Sequence, residues 1–80
     1  MMCQVYQDNS ETLIAYIEVP SAYTTSERNP FYIVEGYRKL RKSWDKDARF
    51  LLEYRGALQK VLIDRFPTSK QLGGTFRVLG

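Results

Sequence analysis

Apolar and polar positions alternate through the first twenty residues. The runs 2–7 (MCQVYQ) and 12–19 (TLIAYIEV) are rich in β-branched and aromatic side chains. The turn-forming residues Asp8-Asn9-Ser10-Glu11 separate them. In the second run Leu13, Ala15, Ile17 and Val19 share one face, and Thr12, Ile14, Tyr16 and Glu18 the other. A β-hairpin with the Leu13 face inward is expected, ended by Pro20. Residues 20–29 (PSAYTTSERN) lack periodicity and read as a polar loop displaying Tyr23.

The period then lengthens. Asn29-Pro30 reads as a helix start, with Asn as cap and Pro in the first turn. Ile33, Tyr37, Leu40 and Trp44 recur at intervals of four, three and four, one stripe of a helix. Glu35, Arg38, Lys39 and Lys42 take the opposite side. The opening Phe31-Tyr32-Ile33-Val34 has strong β character, so a third strand over 31–37 stands as the alternative. Asp45-Lys46-Asp47 supplies a break and a second cap. From Asp47 to Phe66 the spacing predicts a long helix. Phe50, Leu51, Tyr54, Ala57, Leu58, Val61 and Leu62 lie on one arc, and Leu52, Gly56, Gln59 and Ile63 form a second stripe. Pro67 ends it. A linker with a Gly73-Gly74 turn leads to a final short strand, residues 75–79.

The fold class expected from this pattern is α+β, with element order ββ-α-α-β. A small antiparallel sheet, made of the N-terminal hairpin and the C-terminal strand, is covered on one face by two helices. Eighty residues suit a single small domain of marginal stability, residues 1–80. Two apolar sides on the long helix call for two packing partners. Leu52, Gly56 and Ile63 are therefore the candidate seam for a second helix or a homodimer.

Charge changes the picture more than composition does. Residues 1–27 contain no Lys or Arg and carry Asp8, Glu11, Glu18 and Glu27, a formal charge of −4. The other fifty-three hold all twelve bases against five acids, a formal +7, and six of those bases fall between Arg38 and Arg49. Such segregation favours a positive side that attracts anionic partners.

Catalytic equipment is sparse. The chain has no histidine, so the usual neutral-pH base and commonest metal ligand are absent. Cys3 is the lone cysteine, which excludes an intrachain disulfide and a cysteine metal cluster. Asp45 and Asp47 read as helix caps rather than as a catalytic or metal pair. Gly73-Gly74 lacks the flanking strand, helix and Lys-Ser/Thr of a phosphate loop. The expectation is a non-enzymatic protein with no cofactor and no metal. It has neither a signal-peptide pattern nor an apolar run that could span a bilayer, and so is expected to be soluble, intracellular and cytoplasmic.

The most function-like passage is 37–49. Arg38, Lys39, Arg41, Lys42, Lys46 and Arg49 are the residue types that meet carboxylates and phosphates. The expected function is a small protein-binding module, an adaptor, regulatory subunit or inhibitor of a larger complex. It would dock on an acidic surface through these six bases, with Tyr23 and Tyr32 adding aromatic grip. The alternative is a nucleic-acid-binding protein contacting phosphates through the same 38–49 cluster.

Overall fold

The structure is a computed structural model that describes residues 1–20, 28–54, 56–68 and 73–79. Six strands and one short helix follow each other in the order β1 (Met2–Gln7), β2 (Leu13–Glu18), β3 (Asn29–Glu35), α1 (Tyr37–Ser43), β4 (Arg49–Tyr54), β5 (Ala57–Arg65) and β6 (Gly73–Val78). All pairings are antiparallel, and the sheet closes on itself as β1-β2-β3-β6-β5-β4. Two three-stranded meanders, β1–β3 and β4–β6, are thus joined along both long edges. The fold is a closed barrel, not the α+β sandwich expected from periodicity.

The N-terminal hairpin forms where the alternation placed it. Its turn is closed by Gln7 N–H donating to the Thr12 carbonyl at 2.9 Å and Glu11 N–H to the Gln7 carbonyl at 2.8 Å. The inward face differs at one end. β2 carries an extra residue between the Val5–Ala15 and Tyr6–Leu13 pairs. That bulge turns Ile14 inward with Ala15, Ile17 and Val19, and leaves Leu13 37% exposed.

The segment 29–35 is a strand and not the start of a helix; the alternative of a strand over 31–37 had the type right but ran past Gly36 into Tyr37, where α1 begins. Phe31 and Asn29 point inward and are buried. The Asn29 amide donates to the Phe76 carbonyl at 3.4 Å instead of capping a helix. The change to helix comes at Gly36, whose φ of +92° is a left-handed conformation. A Cβ there would sit 2.3 Å from the Ile14 carbonyl oxygen, so only glycine fits.

The long helix over 47–66 does not exist. Its residues form the β4–β5 hairpin, paired from Arg49–Leu62 to Tyr54–Ala57. Phe50 and Leu52 on β4, and Val61 and Ile63 on β5, alternate into the core. Leu58, which the helical arc would bury, is 51% exposed. The Asp45–Asp47 pair caps nothing; the Asp45 carboxylate accepts the Asp47 backbone N–H at 2.7 Å within a turn. Gly73 and Gly74 also lie in a strand rather than a turn. Gly74 is there for close approach, because a Cβ would fall 2.5 Å from the Arg65 carbonyl oxygen and 2.8 Å from the Phe31 ring.

The core fills the barrel with Cys3, Val5, Ile17, Phe31, Phe50, Leu52, Ile63, Phe76 and their neighbours. Phe31 and Phe76 meet edge to face at 5.9 Å. Leu40 of α1 belongs to the same core and is fully buried. Seven residues are too few to hold a helix in water, so α1 depends on that anchor. No helix among the described residues is long and apolar enough to cross a membrane.

Candidate anion-docking surface on α1

Leu40 fixes which way α1 faces. At about 100° per residue, Arg41, Arg38, Lys42 and Lys39 span an arc of roughly 160°, centred almost opposite Leu40. With Leu40 buried, all four side chains are directed to solvent, and all four are exposed. Arg41 and Lys42 occupy the last turn, where cations meet the negative end of the helix dipole.

An aromatic base holds the helix. The Tyr37 hydroxyl donates to the Pro67 carbonyl at 3.1 Å. Trp44 Nε1–H donates to the Ile63 carbonyl at 3.0 Å. Both rings pack on Phe66, at centroid distances of 5.5 and 5.3 Å. The Arg41 guanidinium lies over Trp44 at 5.6 Å and over Phe66 at 5.7 Å, close enough for cation–π attraction. Trp44 is therefore committed to the molecule's own packing, and Tyr37 is tied down at its hydroxyl while its ring stays 43% exposed.

Elsewhere three cationic side chains and the amino terminus are paired, while among the described residues the exposed Arg65 of β5 has no such partner. Asp64 receives Arg77 at 3.1 Å and Arg28 at 3.8 Å, Lys60 meets Asp8 at 3.5 Å, and the Met1 amino group meets Glu18. Among the described residues, none of Arg38, Lys39, Arg41, Lys42, Lys46 and Arg49 forms an ion pair. The structure gathers the first four on one helical face. Lys46 is exposed on the following turn, and Arg49 opens β4, lining a separate depression with Gln7, Asp8 and Ser43.

The two tyrosines are not added to this cluster. Tyr32 projects from the barrel wall on β3, between Glu18 of β2 and Gly73 of β6, with its ring beside Gly73. Tyr23 lies outside the described residues. The proposed seam is dissolved with its helix: Leu52 and Ile63 are inside the barrel, and Gly56 is an exposed hairpin-turn residue with φ +80°. Sequence reasoning missed Phe66, Pro67 and Leu13 as neighbours of α1. Phe66-Pro67 was visible only as an element end, and nothing local announces that it returns to the helix.

Titration is perturbed away from this surface. Burial pushes the Cys3 thiol above its ordinary value, the amino terminus opposing this in part. Such a thiol lacks the thiolate character of a reactive cysteine. Desolvation also raises the Tyr6 phenol, with Glu53 and Tyr16 adding to the effect. Compared with protein-family models, curated proteins and solved structures, the chain finds no match in any of the three.

Proposed function

We propose that this protein is a non-catalytic binding module that docks an acidic partner protein through the outer face of α1. The observation that carries the reading is the contrast in pairing. Arg28, Lys60 and Arg77 meet carboxylates of their own chain, whereas Arg38, Lys39, Arg41 and Lys42 have no such partner among the described residues. A desolvated partner carboxylate would supply what the fold withholds. Exposed pairs of this kind contribute about 0.2–1 kcal/mol each. Their larger effect is on association rate and salt sensitivity.

A protein surface suits the aromatic chemistry better than nucleic-acid bases do. Single-stranded nucleic acid is gripped by free aromatic faces, and here Trp44 packs tilted against Phe66, Tyr37 meets the same ring edge to face, and both are hydrogen-bonded to backbone carbonyls.

Affinity capture of the tagged protein, with and without nuclease, tests the reading. A stoichiometric partner that survives nuclease, elutes with salt and is lost in an Arg38→Glu/Lys42→Glu variant supports it. Recovery of material that disappears entirely with nuclease would replace this function with nucleic-acid binding.

A further inference from the structure

β2 keeps β3 as a partner only as far as the Tyr16–Glu35 pair. Gly36 then lies so close to the Ile14 carbonyl and the Ala15 Cα that the backbone edge of β2 is covered there. What stays open beside it is a hollow of side chains. Leu13 and Tyr16 line one wall and Tyr37, Arg38 and Lys39 the other, with Glu35 at the junction. On the far side of Tyr16 the outer barrel wall continues. Gln4 of β1, Glu53 of β4 and Leu58 of β5 follow Tyr16 as cross-strand neighbours in one row. Leu13, Tyr6 and Leu51 make the next row. Both rows face outward, because Val5, Ala15 and Leu52, which alternate with them, are buried.

We propose that this surface is the interface of a two-fold homodimer, in which the wall around Glu53 of each copy seats in the hollow beside Arg38 and Lys39 of the other. Three features converge on a second copy as the occupant. The first is charge. Arg38 and Lys39 against Glu35 leave the hollow at a formal +1, and Glu53, without an ion pair among the described residues, sets −1 on the opposite side of Tyr16. Opposite charges flanking one patch become complementary when the patch meets itself across a two-fold axis.

The second is shape. A closed barrel is convex outside, so a ridge and a hollow lie side by side, as the charges do. The covered edge of β2 rules out an added strand and calls for a folded surface instead. The third is the apolar middle. Leu13, Tyr16 and Tyr6 lie between the charged ends, Leu13 itself 37% exposed, and contact near the axis would bury them. The dimer uses cations of the first turn of α1. Arg41 and Lys42, in its last turn, stay open to an acidic partner, so the two roles are separable.

Sedimentation equilibrium of the full chain across concentration is the test. Wild type should pass from monomer to dimer. Arg38→Glu/Lys39→Glu and Glu53→Lys, each alone, set like charges opposite one another at both symmetric contacts. Each should raise the dimer dissociation constant at least about tenfold, and one chain carrying all three changes should regain the dimer. Lys46→Glu/Arg49→Glu, off the interface, should dimerise like the wild type. Leu13→Lys, near the axis, should weaken the dimer while keeping the wild-type circular dichroism. A monomer at every concentration overturns the proposal. So does a dimer indifferent to both Glu53→Lys and Leu13→Lys, or a mass that climbs past the dimer, which would mean head-to-tail assembly. A monomer that still captures an acidic protein sinks the dimer and leaves the docking function standing.

Discussion

The wall around Asp64 and the outer face of α1 are both cationic, yet they are built to different ends. On the wall, one carboxylate 13% exposed gathers Arg28 and Arg77, which are themselves far more open. Asp64 Oδ2 is buried without a hydrogen bond among the described residues and faces Arg28 Nε at 3.8 Å. Charge there is answered within the chain and ties β5 to β6. On α1, four cations share one arc with no carboxylate answering them among the described residues, Arg41 alone resting on the rings of Trp44 and Phe66. The difference separates charge that serves the fold from charge left over for something else.

That separation can be broken most severely at the helix anchor. Leu40→Ala removes the one side chain by which α1 enters the core, and should cost about 2–5 kcal/mol. Urea unfolding measures it; a cost near zero would mean the helix is not held as described. Next comes Trp44→Phe, which keeps a ring on Phe66 but deletes the donor to the Ile63 carbonyl. A loss of about 1 kcal/mol is expected for that part-buried hydrogen bond. Asp64→Asn should lower stability by a similar or smaller amount, about 0.5–1 kcal/mol, because its arginines are solvent-screened. The same denaturation series run in high salt should shrink that difference, and a difference that grows would contradict the ion-pair account.

The N-terminal hairpin was legible because each strand alternates locally and a polar turn joins them. The inward turn of Ile14 and the outward turn of Leu13 escaped, since a bulge depends on the partner strand. The 49–65 segment was not legible. With apolar residues at Phe50, Leu51, Leu52, Leu58, Val61, Leu62 and Ile63, it satisfies a helical arc as well as a strand face. The deciding interactions are non-local: β1 meets β4 across more than forty residues, and β6 meets β5 across ten or more. Gly73-Gly74 misled for the same reason: its need for glycine is set by Phe31, Arg65 and Pro67. The placement of four of the bases was more legible. Bases clustered at 38–42 sit on a helix either way, so their common face was readable. The aromatic base beneath them was half readable, through Tyr37 and Trp44, while Phe66 arrives by closure of the barrel.

A subtler contrast concerns pH. Cys3 and Tyr6 both have raised values, so the folded state holds its protons where the unfolded chain releases them. Their contribution is fully present below the unfolded values and is lost as pH rises through the higher folded ones, from about pH 8.5 upward for Cys3 and from about pH 10 upward for Tyr6. Melting temperature should drift downward over that window, and Cys3→Ala should flatten part of the drift. A rise in stability with pH there would reverse the assigned sign.

Equal loss of charge at the two regions gives the most direct measurement. Arg38→Gln/Lys42→Gln and Arg28→Gln/Arg77→Gln each remove two positive charges. Salt-gradient elution from immobilised poly-glutamate should drop clearly for the α1 pair and little for the wall pair. Unfolding free energy should do the opposite, with changes on α1 within about 0.5 kcal/mol. If both variants elute at the same reduced salt, retention follows net charge alone and the α1 face has no special claim as a docking surface.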